Sequence, residues 1–508
     1  MTSLWLASTP EITTDPFEPD ARYDEVVVGA GLTGLTIALL FARAGRRVAV
    51  LESRSIGALA TGKSTAKLSL LQSSQLQKIK AHTYQSVVQA YVDGNLAGQR
   101  WLLDYADSRG IAVQRRDAVS YAGTSEGVAT VEREYRIAAS AGLPVRLTDT
   151  TDLPFETFGA VVLPDQAQFD PLDILGALAA DLRELGGVII QGTRVIGVKA
   201  EKPARVRTSR GEVFGDHVLL TTGTPMLNRG LYFAKLSAKR SYAASYSLPA
   251  DATLLPQGMY LSVDAPTRSV RTVPAKDGVT ADAGAAGLAA DTLIVGGNGH
   301  PVGREHDTQR LVDDLHEWTA DHFPGAKPTH SWSAQDYETP HRVPFVGYLP
   351  RGRGRIYFAS GYDKWGMTNA VQAALTLFGD ITGDTPPWAK VLHHRVTLPA
   401  AIASGLGANA ATGWWALKGW AGVLTGPATD DLPLPDEGQG FIARSGLRPT
   451  GTSTVDGRTC QVSAVCPHLG GVLTWNTAET SWDCPLHGSR FAPDGTLLEG
   501  PTTHDLRT

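Results

Sequence analysis

Val26, Val27 and Val28 form a short, wholly apolar run, the pattern of a strand buried on both faces. Leu35, Leu39 and the pair Phe41-Ala42 then recur with helical spacing, the helix pattern stops near Gly45, and VAVLE reads as a second buried strand ending on Glu52. Between the first strand and the helix stand Gly29, Gly31 and Gly34. Strand, glycine turn, helix, strand and terminal acid together make a dinucleotide-binding βαβ unit. The glycines permit the turn and close approach to a pyrophosphate, the helix N-terminus faces its charge, and Glu52 suits ribose hydroxyls. Much later, after the Pro/Asp-rich break TDDLPLPDEGQG, the pattern changes to short strands. FIARSG is one, and RPTGTSTVDGRTCQVSAV reads as two more about an Asp456-Gly457 turn.

Residues 57–65, GALATGKST, match a phosphate-binding P-loop letter for letter. Such a loop leaves its strand directly and opens a helix, but here Ser53-Arg54-Ser55-Ile56 separate it from the strand ending at Glu52. No ATPase is expected. GGNGHPVG at 296–303 also holds a G-x-G, but Pro301 follows and no helix with a terminal acid does, so no second nucleotide site is read. His316 and His322 lie six residues apart on a helical pattern, off the i, i+3 or i+4 spacing of ligand pairs, and are read as surface or capping residues.

A chain of 508 residues holds two to three domains, and 42% hydrophobic with 19% charged residues is an ordinary globular composition. A formal charge of −5 and no clustered Lys/Arg run argue against nucleic acid as a partner. The opening residues show no basic stretch followed by an apolar one, so no signal peptide is read. Residues 401–426 carry only Lys418 as a charge and hold Trp414, Trp415 and Trp420, but they are rich in Gly and Ala. They read as a helical linker packed on a domain, not a membrane span. The three cysteines, Cys460, Cys466 and Cys484, all lie in the C-terminal β pattern. Their odd number and setting favour a cytoplasmic metal or redox role over a disulfide framework.

Over most of residues 20–390 the chain resembles the FAD-dependent amine oxidoreductases of the D-amino-acid oxidase, glycine oxidase and sarcosine oxidase type. In that resemblance GALATGKST is the loop running over the pyrophosphate towards the flavin ring, so Gly62, Lys63, Ser64 and Thr65 would contact FAD, with Lys63 or Lys67 facing the ring or the phosphates. FDPLDILGALAADLRELGGVIIQGTRVIGV resembles the family's central helix and strand, where Val195 would meet the adenine. DHVLLTTGTP matches the strand closing the FAD domain at Thr222-Gly223. IYFASGYDKWGMTNAVQAA resembles the final signature, in which Gly361 and a helix after Gly366-Met367-Thr368-Asn369 bring amides to the flavin pyrimidine end. Tyr242, Arg271 and Lys364 are candidates for the substrate pocket.

In the C-terminal pattern, CPHLGG and CPLHGSRF give Cys466-x-His468, fifteen residues, then Cys484-x-x-His487. A Rieske [2Fe–2S] cluster needs two thiolates on one iron and two imidazoles on the other, each loop giving one of each. The alternative is a zinc site, but zinc ribbons space their cysteines C-x₂₋₄-C, whereas each loop here pairs a Cys with a His. The segment resembles Rieske domains with departures. Gly471 and Leu486 occupy the positions of the disulfide found in cytochrome bc complexes, Ser489 keeps a hydroxyl, and Phe491 stands where those proteins have tyrosine. Fewer donors to the sulfurs imply a lower potential than the bc type. Cys460 is expected to pack in its strand as a small hydrophobe. Ring-oxygenating Rieske enzymes also need an iron held by two histidines and a carboxylate, and no stretch is read as such a domain.

These readings give an α/β FAD-binding Rossmann-type domain with an antiparallel-sheet substrate domain over 1–395, a linker helix over 396–430, and a small all-β Rieske domain over 431–508. The implied protein is a cytoplasmic FAD-dependent oxidoreductase. It would oxidise an amine or amino-acid-like molecule at flavin and pass electrons singly through the cluster to a one-electron carrier or other acceptor. Two alternatives remain: entry of electrons through the cluster to reduce flavin, and a non-enzymatic electron-transfer or redox-sensing role. The break in the 430s implies two units with separate cores.

Overall fold

The computed structural model describes residues 1–9, 11–249, 255–273 and 292–507. Val26, Val27 and Val28 close the strand Arg22–Val28, which pairs in parallel with Gly211–Leu220 on one side and Val48–Leu51 on the other. Val27 faces a core shared with the helices Leu32–Arg43, Pro171–Glu184 and Gly366–Thr382, while Val26 and Val28 face Val195, Val206 and Val213. A strand without a wet face carries no polar alternation. The sheet runs Phe345–Tyr348, Ile356–Ser360, Gly211–Leu220, Arg22–Val28, Val48–Leu51, Val188–Ile190, with Val195–Lys199 and Ala204–Thr208 as an antiparallel branch. Its register sets up the site. Val28 pairs with both Leu220 and Leu51, so the loops beginning at Gly29, Glu52 and Thr221 leave the sheet at one level. Open parallel sheets take ligands in that crevice.

The second sheet is largely antiparallel. It includes Lys327–Glu338, Ser237–Ser247, Thr292–Pro301 and Arg268–Val273 as neighbours in that order, then Met259–Ser262, Val113–Tyr121, Ala160–Phe169 and Lys67–Leu68. The Gly296-Gly297 pair lies inside strand Thr292–Pro301, and Pro301 ends it without a helix. His316 is more integrated than a surface residue: its Nδ1 lies 2.9 Å from the Tyr246 hydroxyl and its Nε2 3.3 Å from Ser331 Oγ. His322 sits in the last helical turn, with Nδ1 2.8 Å from the Trp318 carbonyl.

Helix Pro399–Thr425 occupies the uncharged stretch. Trp420 Nε1 donates to the Gly470 carbonyl (3.0 Å), Asn409 Nδ2 to Ala234 (2.8 Å), and Arg304 to Thr412 Oγ1 (3.0 Å). One side of the helix is therefore packed, and Ile402, Leu406, Trp414, Leu417 and Leu424 are exposed. Among the described residues no helix is long and apolar enough to cross a membrane.

Beyond it lie a three-stranded sheet, Gly440–Ser445, Arg448–Val455 and Arg458–Ser463, and a four-stranded one, Thr474–Asn476, Ser481–Asp483, Arg490–Phe491 and Leu497–Glu499. Asp456 (φ 52°) and Gly457 (φ 69°) make the hairpin turn with both residues left-handed, the geometry whose twist matches paired strands. Trp482 and Phe491 fill this unit's own core. Cys460 lies only half-buried in its strand rather than packed in that core.

The apolar cores are separate, but the seam between the units is not. Arg240, on strand Ser237–Ser247, is fully buried and donates to Ser333 Oγ (2.8 Å), Gln335 Oε1 (2.9 Å) and Glu479 Oε2 (2.8 Å), with Asp483 Oδ2 at 3.8 Å. Arg490 pairs with Glu479 and Asp483 from the other side.

The N-terminal helix Leu4–Ser8 is too short for its sequence to show a helical period. It brings buried Trp5 against the 57–65 loop, where the indole N–H donates to the Ser64 carbonyl (2.8 Å) and Ser3 Oγ donates to Gly62 O. Trp5→Ala should cost about 3–5 kcal/mol by cavity formation. Urea unfolding monitored by near-ultraviolet circular dichroism measures it, and a loss below about 1 kcal/mol would show that the helix does not anchor the loop.

Candidate functional site

At the carboxyl ends of the parallel strands lies a cavity of about 530 Å³. Gly29 has φ +107°, and a Cβ there would sit 2.8 Å from the Thr221 carbonyl oxygen. At Gly34 a Cβ would lie 1.9 Å from Gly29 O, so only hydrogen fits where helix crosses turn. Gly31 caps the helix Leu32–Arg43, and Leu32 N–H donates to Thr61 Oγ1 (3.1 Å), tying the helix start to the following loop. Glu52 accepts from Ala30 N (2.9 Å) and Arg54 N (2.8 Å), which holds its carboxylate at the cavity edge.

Residues 57–65 are a compact turn, closed by Gly62 N to Gly57 O (3.0 Å) and Lys63 N to Leu59 O (3.1 Å). No helix opens after Ser64; the short strand Lys67–Leu68 follows. Lys63, Ser64 and Thr65 line the cavity, as do Gly29, Gly31, Glu52, Val195, Thr222, Gly223, Gly366 and Met367. Helix Gly366–Thr382 starts at Gly366, so its first amides, which have no partner within the helix, open on this space. Gly34, Gly62, Gly361 and Thr368 stand behind the lining. Gly62 and Gly361 admit Gly57 O and Thr339 Cγ2 where a Cβ would come within 2.3 Å of each, and Thr368 Oγ1 bonds Asn95 and Gln72. The glycine cradle, the free helix-start amides and the cavity suit FAD.

The three pocket candidates separate. Arg271 is corrected: it lies outside the lining, and its Nη1 donates to the carbonyls of Thr65 (2.6 Å) and Ala66 (3.0 Å), so it anchors the loop from behind. Burial draws its pKa down to about 9. Tyr242 and Lys364 do line the cavity. The Tyr242 hydroxyl is 3.2 Å from His300 Nε2, and burial pushes its pKa up. Lys364 adopts φ 69°, and burial lowers its ammonium pKa against the opposing pull of Asp363. Lys67 Nζ is committed to Tyr260 O (2.7 Å) and Ser269 Oγ (2.6 Å), and burial holds its pKa well down.

Sequence reasoning missed Asp336. It lines the cavity, accepts from Tyr337 N (2.7 Å) and Lys364 N (2.6 Å), and burial pushes its carboxyl up to about 7. It also missed Gln335, Tyr337 and the segment from Leu498 to Thr503, which belong to the same lining. No spacing rule links these to the glycine motif.

The cluster loops are near-copies. Gly470 N donates to Cys466 O (3.0 Å) and Gly488 N to Cys484 O (3.1 Å), with both glycines left-handed (φ 72° and 81°). The Cys466 and Cys484 thiols lie against one another, and the His468 and His487 rings pack edge-on at 5.1 Å. Donors thus divide into a thiol pair and an imidazole pair, the division a two-iron cluster requires. His468 Nδ1 is buried without a partner, a donor atom left for iron, while its Nε2 meets Asn228 Oδ1 at 3.0 Å. Burial draws the His487 pKa down to about 4, which keeps the ring neutral with a lone pair to give. Ser489 Oγ accepts from Thr502 N (3.2 Å), and its hydroxyl helps draw the Cys466 thiol pKa down.

Two outcomes follow from this geometry. Gly34→Ala should yield protein without flavin absorbance, and a normally yellow product would sink the cradle. His487→Ala should lose iron and labile sulfide, as read by metal and sulfide analysis.

The family model for FAD dependent oxidoreductases matches residues 24–377, and that for the Rieske [2Fe-2S] domain matches residues 443–508. A putative Rieske 2Fe-2S iron-sulfur protein YhfW of Bacillus subtilis (strain 168) is 26% identical over 99% of this chain and 97% of its own length. Among solved structures, glycine oxidase from Geobacillus kaustophilus is similar in fold at 19% identity, with a TM-score of 0.59 over 72% of this chain and 96% of its own. L-proline dehydrogenase from P. horikoshii is likewise 19% identical, with a TM-score of 0.58 over 73% of this chain and 96% of its own. The chain belongs to the FAD dependent oxidoreductase family and carries a C-terminal Rieske domain, so it is a flavoenzyme with a [2Fe–2S] cluster.

Proposed function

We propose that this enzyme oxidises an amine or amino-acid-like small molecule and delivers the electrons, one at a time, to a one-electron carrier in the cytoplasm. Bound flavin takes two electrons from a C–H bond, and a Rieske cluster passes one at a time. The observation that carries the reading is the seam. Gln335, in the cavity lining, donates to Gly488 O (2.8 Å), the carbonyl next to the ligand His487. A cluster loop bonded to a side chain of the flavin cavity's wall is of use when the final acceptor takes single electrons.

In this reading Gly29, Gly31, Glu52 and Val195 hold the adenosine and pyrophosphate end of FAD. Lys63, Ser64, Thr65, Gly366 and Met367 hold the ring end, and Cys466, His468, Cys484 and His487 hold the cluster. The chamber beyond mixes cations and acids, with Lys239, Lys364 and Arg342 beside Asp336, Glu338 and Asp363. That mixture matches a substrate carrying both an ammonium and an acidic group. An amine must lose its ammonium proton before its C–H bond can give up two electrons. Asp336 is placed to take that proton, because two backbone amides fix its carboxylate and burial raises its proton affinity towards neutrality. Tyr242 and Lys364 orient the substrate.

Anaerobic mixing with the right amine or amino acid should bleach the flavin band before the cluster's circular-dichroism bands change. The reverse order would show that electrons enter through the cluster. The bleaching rate should rise with pH through about 7 as Asp336 ionises. In Asp336→Asn the rate should fall about 10²-fold, within the range for lost general-base catalysis, and the inflection should vanish. An unchanged profile would remove Asp336 from the chemistry.

A further inference from the structure

The small iron–sulfur unit does more than touch the flavin domain: Leu498, Glu499, Gly500, Pro501, Thr502 and Thr503 line the same cavity as the glycine turn. Their course can be traced by contacts. At one end Arg194 Nη2 donates to Leu497 O (2.9 Å), and Arg194 adjoins Thr193, whose N–H donates to Glu52 O (2.8 Å). At the other end the Tyr337 hydroxyl approaches Gly500 O (3.4 Å), and Tyr337 borders Gly223 and Asp336. Midway, Glu499 feels Lys63 and Arg490; burial raises its pKa and these cations oppose the rise. The segment therefore runs along the crevice, from the side of Glu52 to that of Tyr337 and Gly223. It is held from outside by the Arg240–Glu479–Arg490 seam and by Ser489 Oγ on Thr502 N.

We propose that the segment Leu498–Thr503 of the Rieske unit is one wall of the FAD site, so that the flavin domain holds FAD firmly only while the Rieske unit is docked. The assignment does not depend on the direction of electron flow. It adds a job for the Rieske fold that is independent of its iron: covering the dinucleotide.

The test uses the full-length holoprotein. Arg240→Met keeps the side-chain volume but removes the cation that joins Glu479 and Asp483 to the flavin domain; Glu499→Ala cuts back the wall and gives up only a 3.8 Å contact to Arg490, leaving Arg240 with Glu479 and Asp483. FAD release after dilution, followed by the rise in free-flavin fluorescence, should be at least about tenfold faster in both, with the Rieske circular-dichroism bands retained. Should Arg240→Met not fold, Glu499→Ala reads the same quantity. Hydrogen exchange supplies an arm without substitution: amides of 498–503 in the wild-type chain should exchange more slowly with FAD bound than without it. Unchanged release in Glu499→Ala together with equal exchange in the two wild-type forms would overturn the proposal.

Discussion

A guanidinium buried to zero exposure, Arg240, reaches out of the flavin domain to two carboxylates of the Rieske unit and ties one unit to the other. Burial by itself works against an ionised Glu479, but Arg490, Arg240 and Lys63 outweigh it and hold the carboxylate well below its ordinary range. Such a network adds little net stability against an apolar seam of equal volume, because each ion gives up its hydration. What it adds is direction: Arg240, held by Ser333 and Gln335 on its own side, meets Glu479 and Asp483 of the other unit at fixed positions. A greasy seam would tolerate sliding, and sliding would misplace both the ligand loop after Cys484 and the strand Leu497–Glu499.

The two ends of the assembly are tuned oppositely by the same physics. In the cavity, burial raises the Asp336 carboxyl to about 7, where its charge is easily gained and lost, and draws the Lys364 ammonium below its ordinary value. At the metal loops, burial keeps His487 neutral and leaves His468 Nδ1 without a partner, so the two rings can each offer a nitrogen lone pair. Desolvation, elsewhere a cost of folding, here prepares one site for proton exchange and the other for metal.

What the sequence disclosed was local. The glycines at 29, 31 and 34 with Glu52 were legible because each serves a turn or crossing within one βαβ unit, and the four proposed cluster ligands because each loop carries its own Cys, His and Gly. Arg271 misled: a lone cation in a strand near a pocket looks like a substrate ligand, whereas two carbonyls of a loop some two hundred positions earlier claim it. Asp336 left no trace because its raised pKa comes from burial, which no neighbour in sequence reports. The pairing of Arg240 with Glu479 joins a strand to a turn 239 positions away and follows no periodicity. The break in the 430s lies between two apolar clusters, and for that reason it concealed a polar seam.

That seam bears on how such a chain can change over generations. A Rieske unit grafted from another protein would bring its own four ligands, and it would lack the partners of Arg240, Arg194 and Tyr337. The recipient would acquire iron while leaving a buried cation unmatched and one side of a dinucleotide crevice open. Substitutions at Gln335, Glu479, Asp483 and Arg490 should therefore co-vary among relatives with this two-unit layout, and the pair should be inherited as one piece rather than exchanged.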